Sequence, residues 1–395
     1  MKDNIYNFET ILKSAVKDVK NSKISKRNKE IIIKFHNYCL AEGLSVSRVT
    51  RYLGCLKRMC LWMKKDLEVI DKDDMVELVQ KIETRDCKEY TKIIYKVTLK
   101  KFYKWINNGE YPEMVKWFKT HVKHRERKLP EELLTKEDIK KIVEKAEHPR
   151  DKALIAVLYE SGCRMSEIAL LKIKNISFDE YGAKLMVAGK TGMRRVRVIS
   201  SAPYLSAWLG IHPDKENPDT YIWINLIRDK GKLMGYRNYV RIIKTSADKA
   251  GIKKRVNPHA FRHARATHLA SHLTEAQMNQ LFGWVQGSDM PATYIHLNGK
   301  DVDNALLRMH GIKEQEDKQN GNDVLKTRDC ARCGLVNGAT SGFCQRCGAP
   351  IDPKTIAQFS ENRDNADEVM NKLVKDPEVL KLLQKKLQEM GVENG

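Results

Sequence analysis

The sequence predicts a mainly α-helical protein of several domains, with a small β-hairpin in its middle and a cysteine-held ribbon near its C-terminal end. Three observations carry that prediction. Apolar residues recur at helical spacing through much of the first 312 residues. Two strand-like runs, AKLMVA (183–188) and RVRVIS (195–200), flank a GKTGMR turn. Two C-x-x-C-G motifs follow beyond residue 329. A chain of 395 residues suits two or three domains, and 42% apolar residues suffice to give them cores.

Taken in order, residues 1–128 read as helices throughout. The run at about 47–65 places Val49, Tyr52, Leu53, Leu56, Met59, Cys60 and Met63 on one face. Arg48, Arg51, Lys57, Arg58 and Lys64 fall largely on the other. A second run, at about 88–107, carries Ile93, Tyr95, Val97, Leu99, Phe102, Trp105 and Ile106. This segment holds 30 Lys+Arg against 17 Asp+Glu, more than half of the chain's net charge of +21. Successive basic helices suit a DNA backbone, although any solvated helix presents a charged face. HVKHRERKLP (121–130) is a basic connector ended by proline, and the next helix opens with Thr135 as N-cap and Asp138 three residues on. A domain boundary is therefore expected at 128/129.

Residues 129–312 form the second domain, mixed α/β with helices predominating. A polar linker is expected over 313–328, a ribbon over 329–350 and a helical tail over 351–395, interrupted at Asp376-Pro377. The tail's stripes, Val369, Met370, Leu373 and Val374, then Val379, Leu380, Leu383 and Leu387, have no core of their own to fill. In the ribbon, Cys330, Cys333, Cys344 and Cys347 form two matched knuckles. Four thiolates complete a tetrahedron around Zn²⁺ with no open position, so the expected role is structural. Nine cysteines, an odd count, together with these pairs, point to a reducing cytoplasm rather than a disulfide scaffold. No apolar run approaches the ~18 residues of a membrane span, and the N-terminus lacks a secretory pattern. A cytoplasmic, nucleoid-associated protein with a polyanionic partner and no membrane is expected.

Four segments of the second domain can carry chemistry. SGCRMSE puts Arg164 at the start of a helix, where a guanidinium can hold a phosphate, with Glu167 placed to orient it. AGKTGMRR sets Lys190 at a hairpin tip, a position from which an ammonium reaches a groove. NPHAFRHARATH offers Asn257 as a cap, Pro258 at the first helical position, and His259 and Arg262 on one face. His263, His268 and His272 lie nearby; the segment lacks H-E-x-x-H, so a metal site is the weaker reading. LFGWVQGSDMPATYIHL carries Trp284 and Tyr294. Taken singly, these are also common as surface pairs, turn lysines and packing aromatics.

Their order resembles the tyrosine recombinase family, the phage integrase and Xer-type enzymes, and most of all its archaeal members. Arg164, Lys190, His259, Arg262 and Tyr294 match the family's landmarks over about residues 5–312. Trp284 stands where most members carry His. The resemblance implies a helical, SAM-like core-binding domain that clamps DNA, followed by the catalytic domain. It implies cleavage and rejoining of double-stranded DNA through a 3′-phosphotyrosyl bond on Tyr294, with no catalytic metal or cofactor. Arg164 and Arg262 would neutralise the phosphate, Lys190 would protonate the 5′-oxygen, His259 would help deprotonate Tyr294 or bind a phosphate oxygen, and Trp284 would donate its indole N–H. Strand exchange would use a homotetramer on DNA, with monomer or dimer in its absence, and residues 301–312 are the candidate helix for a neighbouring protomer. Two alternatives stay open: relaxation of DNA by a type IB topoisomerase-like activity, and a non-catalytic DNA-binding regulatory protein.

Overall fold

The computed structural model describes residues 4–121, 132–189, 191–288, 290–295, 310 and 325–389. Lys190, the candidate helix at 301–312 (save His310) and most of the 313–328 linker lie outside the described residues. The chain divides into two compact units, residues 6–127 and residues 1–5 with 128–395. Mainly helical secondary structure with small antiparallel sheets is what the sequence led us to expect.

Unit 6–127 is helical: α1 (Phe8–Lys20), α2 (Lys26–Ala41), α3 (Val46–Met63), α4 (Lys72–Glu83), α5 (Glu89–Ile106) and the single turn α6 (Glu113–Lys116). Each apolar stripe meets in one core. Val49, Tyr52, Leu53, Leu56, Met59 and Cys60 of α3 are buried against Phe35 and Phe102, whose rings meet edge-on at 5.2 Å. On α5 the buried set departs from the sequence reading, since Val97 is only half buried while Thr98 is buried. A 100° step per residue makes 95, 98, 99 and 102 one face, and the Thr98 hydroxyl is satisfied by the Ile94 carbonyl at 2.7 Å. Buried Asn28 accepts from Leu67 N and donates to Lys65 O, fixing the turn after α3.

The second unit opens with α7 (Lys136–Lys145), where Thr135 and Asp138 form a reciprocal capping box. Helix α8 (Pro149–Ser161) is buried almost throughout and therefore has no polar face to show water. The five-residue α9 (Met165–Ala169) follows, then an antiparallel sheet of order β1 (Ile176–Asp179), β2 (Gly182–Gly189) and β3 (Gly192–Val198). Its register pairs Leu185 with Val196 and Val187 with Arg194. The sequence reading missed β1 and carried the last strand to residue 200. It stops at Val198 because Ile199, Ser200 and Ser201 give their backbone N–H groups to the Glu160 carboxylate at 2.7–3.0 Å. Helices α10 (Ala202–Gly210), α11 (Tyr236–Lys249), α12 (Pro258–Leu269), α13 (Glu275–Phe282) and α14 (Met290–Ile295) complete this part. Ile5 belongs to this unit: it is buried, and its carbonyl accepts from Tyr236 N at 2.9 Å.

The ribbon consists of β4 (Arg328–Asp329) paired with β5 (Val336–Asn337). Leu325 is already buried and β4 begins at Arg328, so ordered packing starts a few residues before the expected boundary at 329. The ribbon rests on α10: the Tyr204 hydroxyl accepts from Thr340 N and bonds Thr340 Oγ1, both at 2.8 Å. Beyond it run α15 (Pro353–Val374) and α16 (Pro377–Glu389), the latter opened by Asp376 Oδ1 on Glu378 N. Val369, Met370, Leu373, Val374 and Leu380 are exposed; the side chains of Leu383 and Leu387 lie outside the described residues.

Candidate active site and metal centre

The site is built from the end of α8, the start of α9, β3, α12, the end of α13 and α14. Gly162 ends α8 at φ +58°, and a Cβ there would fall 2.4 Å from the Phe282 ring, so only glycine allows that approach. The chain then turns to place Arg164 as N-cap of α9. Glu167, 2% exposed, accepts from Arg164 N at 2.8 Å and from the Arg164 guanidinium at 3.0 Å. Arg194, across on β3, doubles this with contacts of 3.1 and 2.8 Å to the two carboxylate oxygens. Burial alone would raise the Glu167 carboxyl, but Arg194, the Arg164 N–H and both guanidinium charges hold it below the ordinary carboxylate range. The hairpin passes over this carboxylate at Gly189, where a Cβ would lie 2.3 Å from Glu167 Oε1.

Arg262 projects from α12, 7% exposed, donating to Gly162 O at 2.9 Å and Phe282 O at 2.7 Å. Its burial, and then the Arg164 charge, lower its pKa to about 10, so it stays cationic at neutral pH. Two aromatic faces compensate. The guanidinium carbon lies 5.2 Å from the Phe282 centroid and 5.4 Å from that of Trp284. Phe282, Trp284 and Tyr294 form a continuous stack, with centroids 4.8 and 5.6 Å apart and planes within 18° and 4°. Trp284 thus packs flat on the tyrosine ring.

Tyr294 is 4% exposed, and its hydroxyl bonds His263 Nδ1 at 2.5 Å. Burial pushes this phenol up to about 12, against the lowering effect of Arg262. His259, one turn before His263 on α12, is exposed. His268 bonds the Tyr159 hydroxyl through Nδ1 at 2.9 Å, and burial pushes its pKa down to about 4. It is a neutral packing residue. Of the residues singled out from sequence, Arg164, Arg262, Trp284 and Tyr294 come together around the stack, and His259 is exposed one turn before His263 on α12. Arg194 and His263 were not singled out for roles; the RMSE…MRR and R-H juxtapositions were the available signals.

The second cluster is the ribbon. The ligand atoms of Cys330, Cys333, Cys344 and Cys347 all lie within 4.8 Å of one another. Cys330 and Cys347 Sγ are 3.6 Å apart, Cys333 and Cys344 Sγ 3.5 Å. A Zn–S bond near 2.3 Å gives tetrahedral sulfur separations of roughly 3.8 Å, so the donor set and its size fit Zn²⁺.

Residues 132–300 match the model of the phage integrase family. A tyrosine recombinase XerA from Pyrococcus furiosus is 33% identical over 150 residues, covering 37% of this chain and 51% of the relative. The XerA of Pyrococcus horikoshii is 31% identical over 145 residues, 36% of this chain and 50% of the relative. The chain thus spans about half the length of these curated relatives. A tyrosine recombinase from Pseudothermotoga lettingae matches over 71% of this chain and 98% of its own length at 23% identity. Among solved structures, XerH recombinase bound to palindromic difH aligns with a TM-score of 0.54 over 78% of this chain and 98% of that one, at 19% identity. A λ integrase dimer on a core site also aligns at 0.54, over 69% and 77%, at 14% identity. Both show the same fold. The two arginines, the stacked tyrosine and the tryptophan all fall inside residues 132–300, the segment that is similar to the phage integrase family.

Proposed function

We propose that the chain is a site-specific DNA recombinase that cleaves and rejoins double-stranded DNA through a 3′-phosphotyrosyl intermediate on Tyr294. The observation that carries this reading is the stack of Tyr294 on Trp284 with the Arg262 guanidinium over the same aromatic faces. A phosphate brought to Arg164 and Arg262 has its charge neutralised by two guanidiniums fixed before it arrives, the economical way to stabilise a pentavalent transition state. Arg164 is a third exposed, and it is anchored by Glu167 and by the Gly283 carbonyl, which its two terminal nitrogens reach at 3.3 and 3.4 Å. His259 would bind a phosphate oxygen from the exposed side of α12. Lys190, next to the Gly189 crossing, is proposed as the acid for the 5′-oxygen. The tryptophan supplies packing and an indole donor.

The proposed organisation is a DNA-clamping core-binding domain over 1–128, the catalytic domain over 129–312, a linker, a zinc ribbon and a helical tail. Zinc, held by Cys330, Cys333, Cys344 and Cys347, would supply folding energy and no chemistry. The working assembly on DNA is proposed to be a homotetramer, as in the λ integrase tetramer bound to a Holliday junction. A suicide duplex selected by binding from a random pool tests the activity. A denaturation-resistant protein–DNA adduct on a preferred site is expected, and Tyr294→Phe should abolish it while leaving DNA binding intact, since backbone contacts carry most of the affinity. An adduct without site preference would favour the topoisomerase-like reading, and no adduct a regulatory one. Metal analysis should find about one zinc per chain.

A further inference from the structure

We propose that His263 is a further catalytic residue, whose Nδ1 takes the phenolic proton of Tyr294 as that oxygen attacks phosphorus. The inference rests on Tyr294 being the nucleophile. Its carrying observation is contact with the reacting atom: among the described residues, the hydrogen-bond partner of the Tyr294 hydroxyl is His263 Nδ1, at 2.5 Å, with the two rings 5.8 Å apart and tilted by 36°.

The surroundings leave the proton few other destinations. A phenol this deeply buried is cut off from bulk water, so an acceptor must be part of the site. Arg262 donates only, and Trp284 turns a ring face to the tyrosine and has no acceptor nitrogen. Glu167 is engaged by two arginines, which hold its charge. His263 follows Arg262 directly on α12, so one helical turn delivers a phosphate-neutralising cation and an imidazole to the same nucleophile. His259 lies four residues earlier, exposed to the side from which DNA must approach. The two histidines therefore divide the work: His259 faces the phosphate and His263 the tyrosine.

The step balances. The Tyr294 Oη–P bond forms and the P–O5′ bond breaks. The phenolic proton moves to His263 Nδ1, which accepts it in the Nε2–H tautomer, and the 5′-oxygen leaves with a proton from its own acid, proposed above as Lys190. Rejoining reverses each transfer, and His263 returns the proton to the phenolate as it departs. No oxidant, metal or cofactor enters.

The test is single-turnover adduct formation on the suicide duplex by the full-length chain. His263→Asn keeps an acceptor near the Nδ1 position but cannot take the proton; His263→Ala removes both. Each should slow adduct formation by about a hundredfold or more, the usual weight of a general base, with melting temperature and DNA affinity near the parent's. Replacing Tyr294 by a fluorinated tyrosine, whose phenol is more acidic, should restore His263→Asn by about tenfold or more and change the parent far less. Parent-like or faster cleavage by His263→Asn would overturn the proposal, the latter by making the histidine a mere restraint. A slowed variant that fluorination leaves untouched would overturn it as well. A parent that forms no adduct brings down the recombinase reading instead, so the two failures are distinct.

Discussion

The two units bury charge differently. In residues 6–127 the buried ionised groups, Asp74 and Lys96, each reach outward to a half-exposed partner, Lys65 and Glu83 respectively. Other pairs, such as Arg27 with Glu68, sit on the rim. In residues 128–395, Arg150, Glu160, Glu167 and Arg262 are sunk in the interior and join segments far apart in the chain. Glu160 holds residues 199–201, Glu167 ties α9 to β3, and Arg262 spans Gly162 and Phe282. Buried ions are poor stabilisers against apolar replacements, yet losing one partner is costly. The helical unit thus uses charge at its surface, while the second unit uses it internally to hold the side chains of the candidate site in register.

The sharpest way to break this contrast is Glu167→Ala, which leaves Arg194 buried without its partner. A loss of about 3–5 kcal/mol in denaturant unfolding is expected, together with loss of adduct formation as Arg164 drifts. Next comes acid. His268 is half-buried and neutral, with a folded pKa of about 4 against 6.5 in the open chain. Its stabilisation is complete above pH 6.5 and disappears as pH falls toward 4, because the unfolded chain binds the proton first. That is on the order of 3 kcal/mol, and His268→Gln should flatten this part of the stability–pH curve. Tyr204→Phe removes the hydroxyl that anchors the ribbon at Thr340, at a cost of about 1–2 kcal/mol, and should speed zinc loss to a chelator. At the other end, Glu68→Gln on the rim of the helical unit should leave its melting temperature unchanged within error. An unfolded Glu68→Gln, or an untouched Glu167→Ala, would erase the contrast.

Helices, caps and the two cysteine knuckles were legible because each is a local pattern. Asn257-Pro258 caps α12 as its spacing implied, and the apolar face of α3 is the buried one. Arg164, Arg262 and Tyr294 could be picked out because their order in the chain resembles a family's. What the sequence withheld was pairing between distant residues. His263 sits 31 positions from Tyr294, and Tyr204 136 from Thr340, and no periodicity encodes which of several histidines or tyrosines meets which partner. Strand β1 escaped notice because ISFD is too short to show alternation. The end of β3 was misplaced because a buried glutamate, invisible to local propensity, captures the next three amides.

The docking of Ile5 bears on how the unit of residues 1–5 and 128–395 can be isolated. Its carbonyl bonds the first amide of α11, and its side chain is buried, although the helical unit intervenes between it and residue 128. A fragment cut at residue 128 therefore discards a buried side chain of its own unit and the acceptor of the Tyr236 amide. Such a fragment should be less soluble than one in which an Asn-Ile dipeptide is supplied on a short artificial leader, or added as a synthetic peptide. The same reasoning warns against fusing bulk directly ahead of Ile5, where it would compete with that docking.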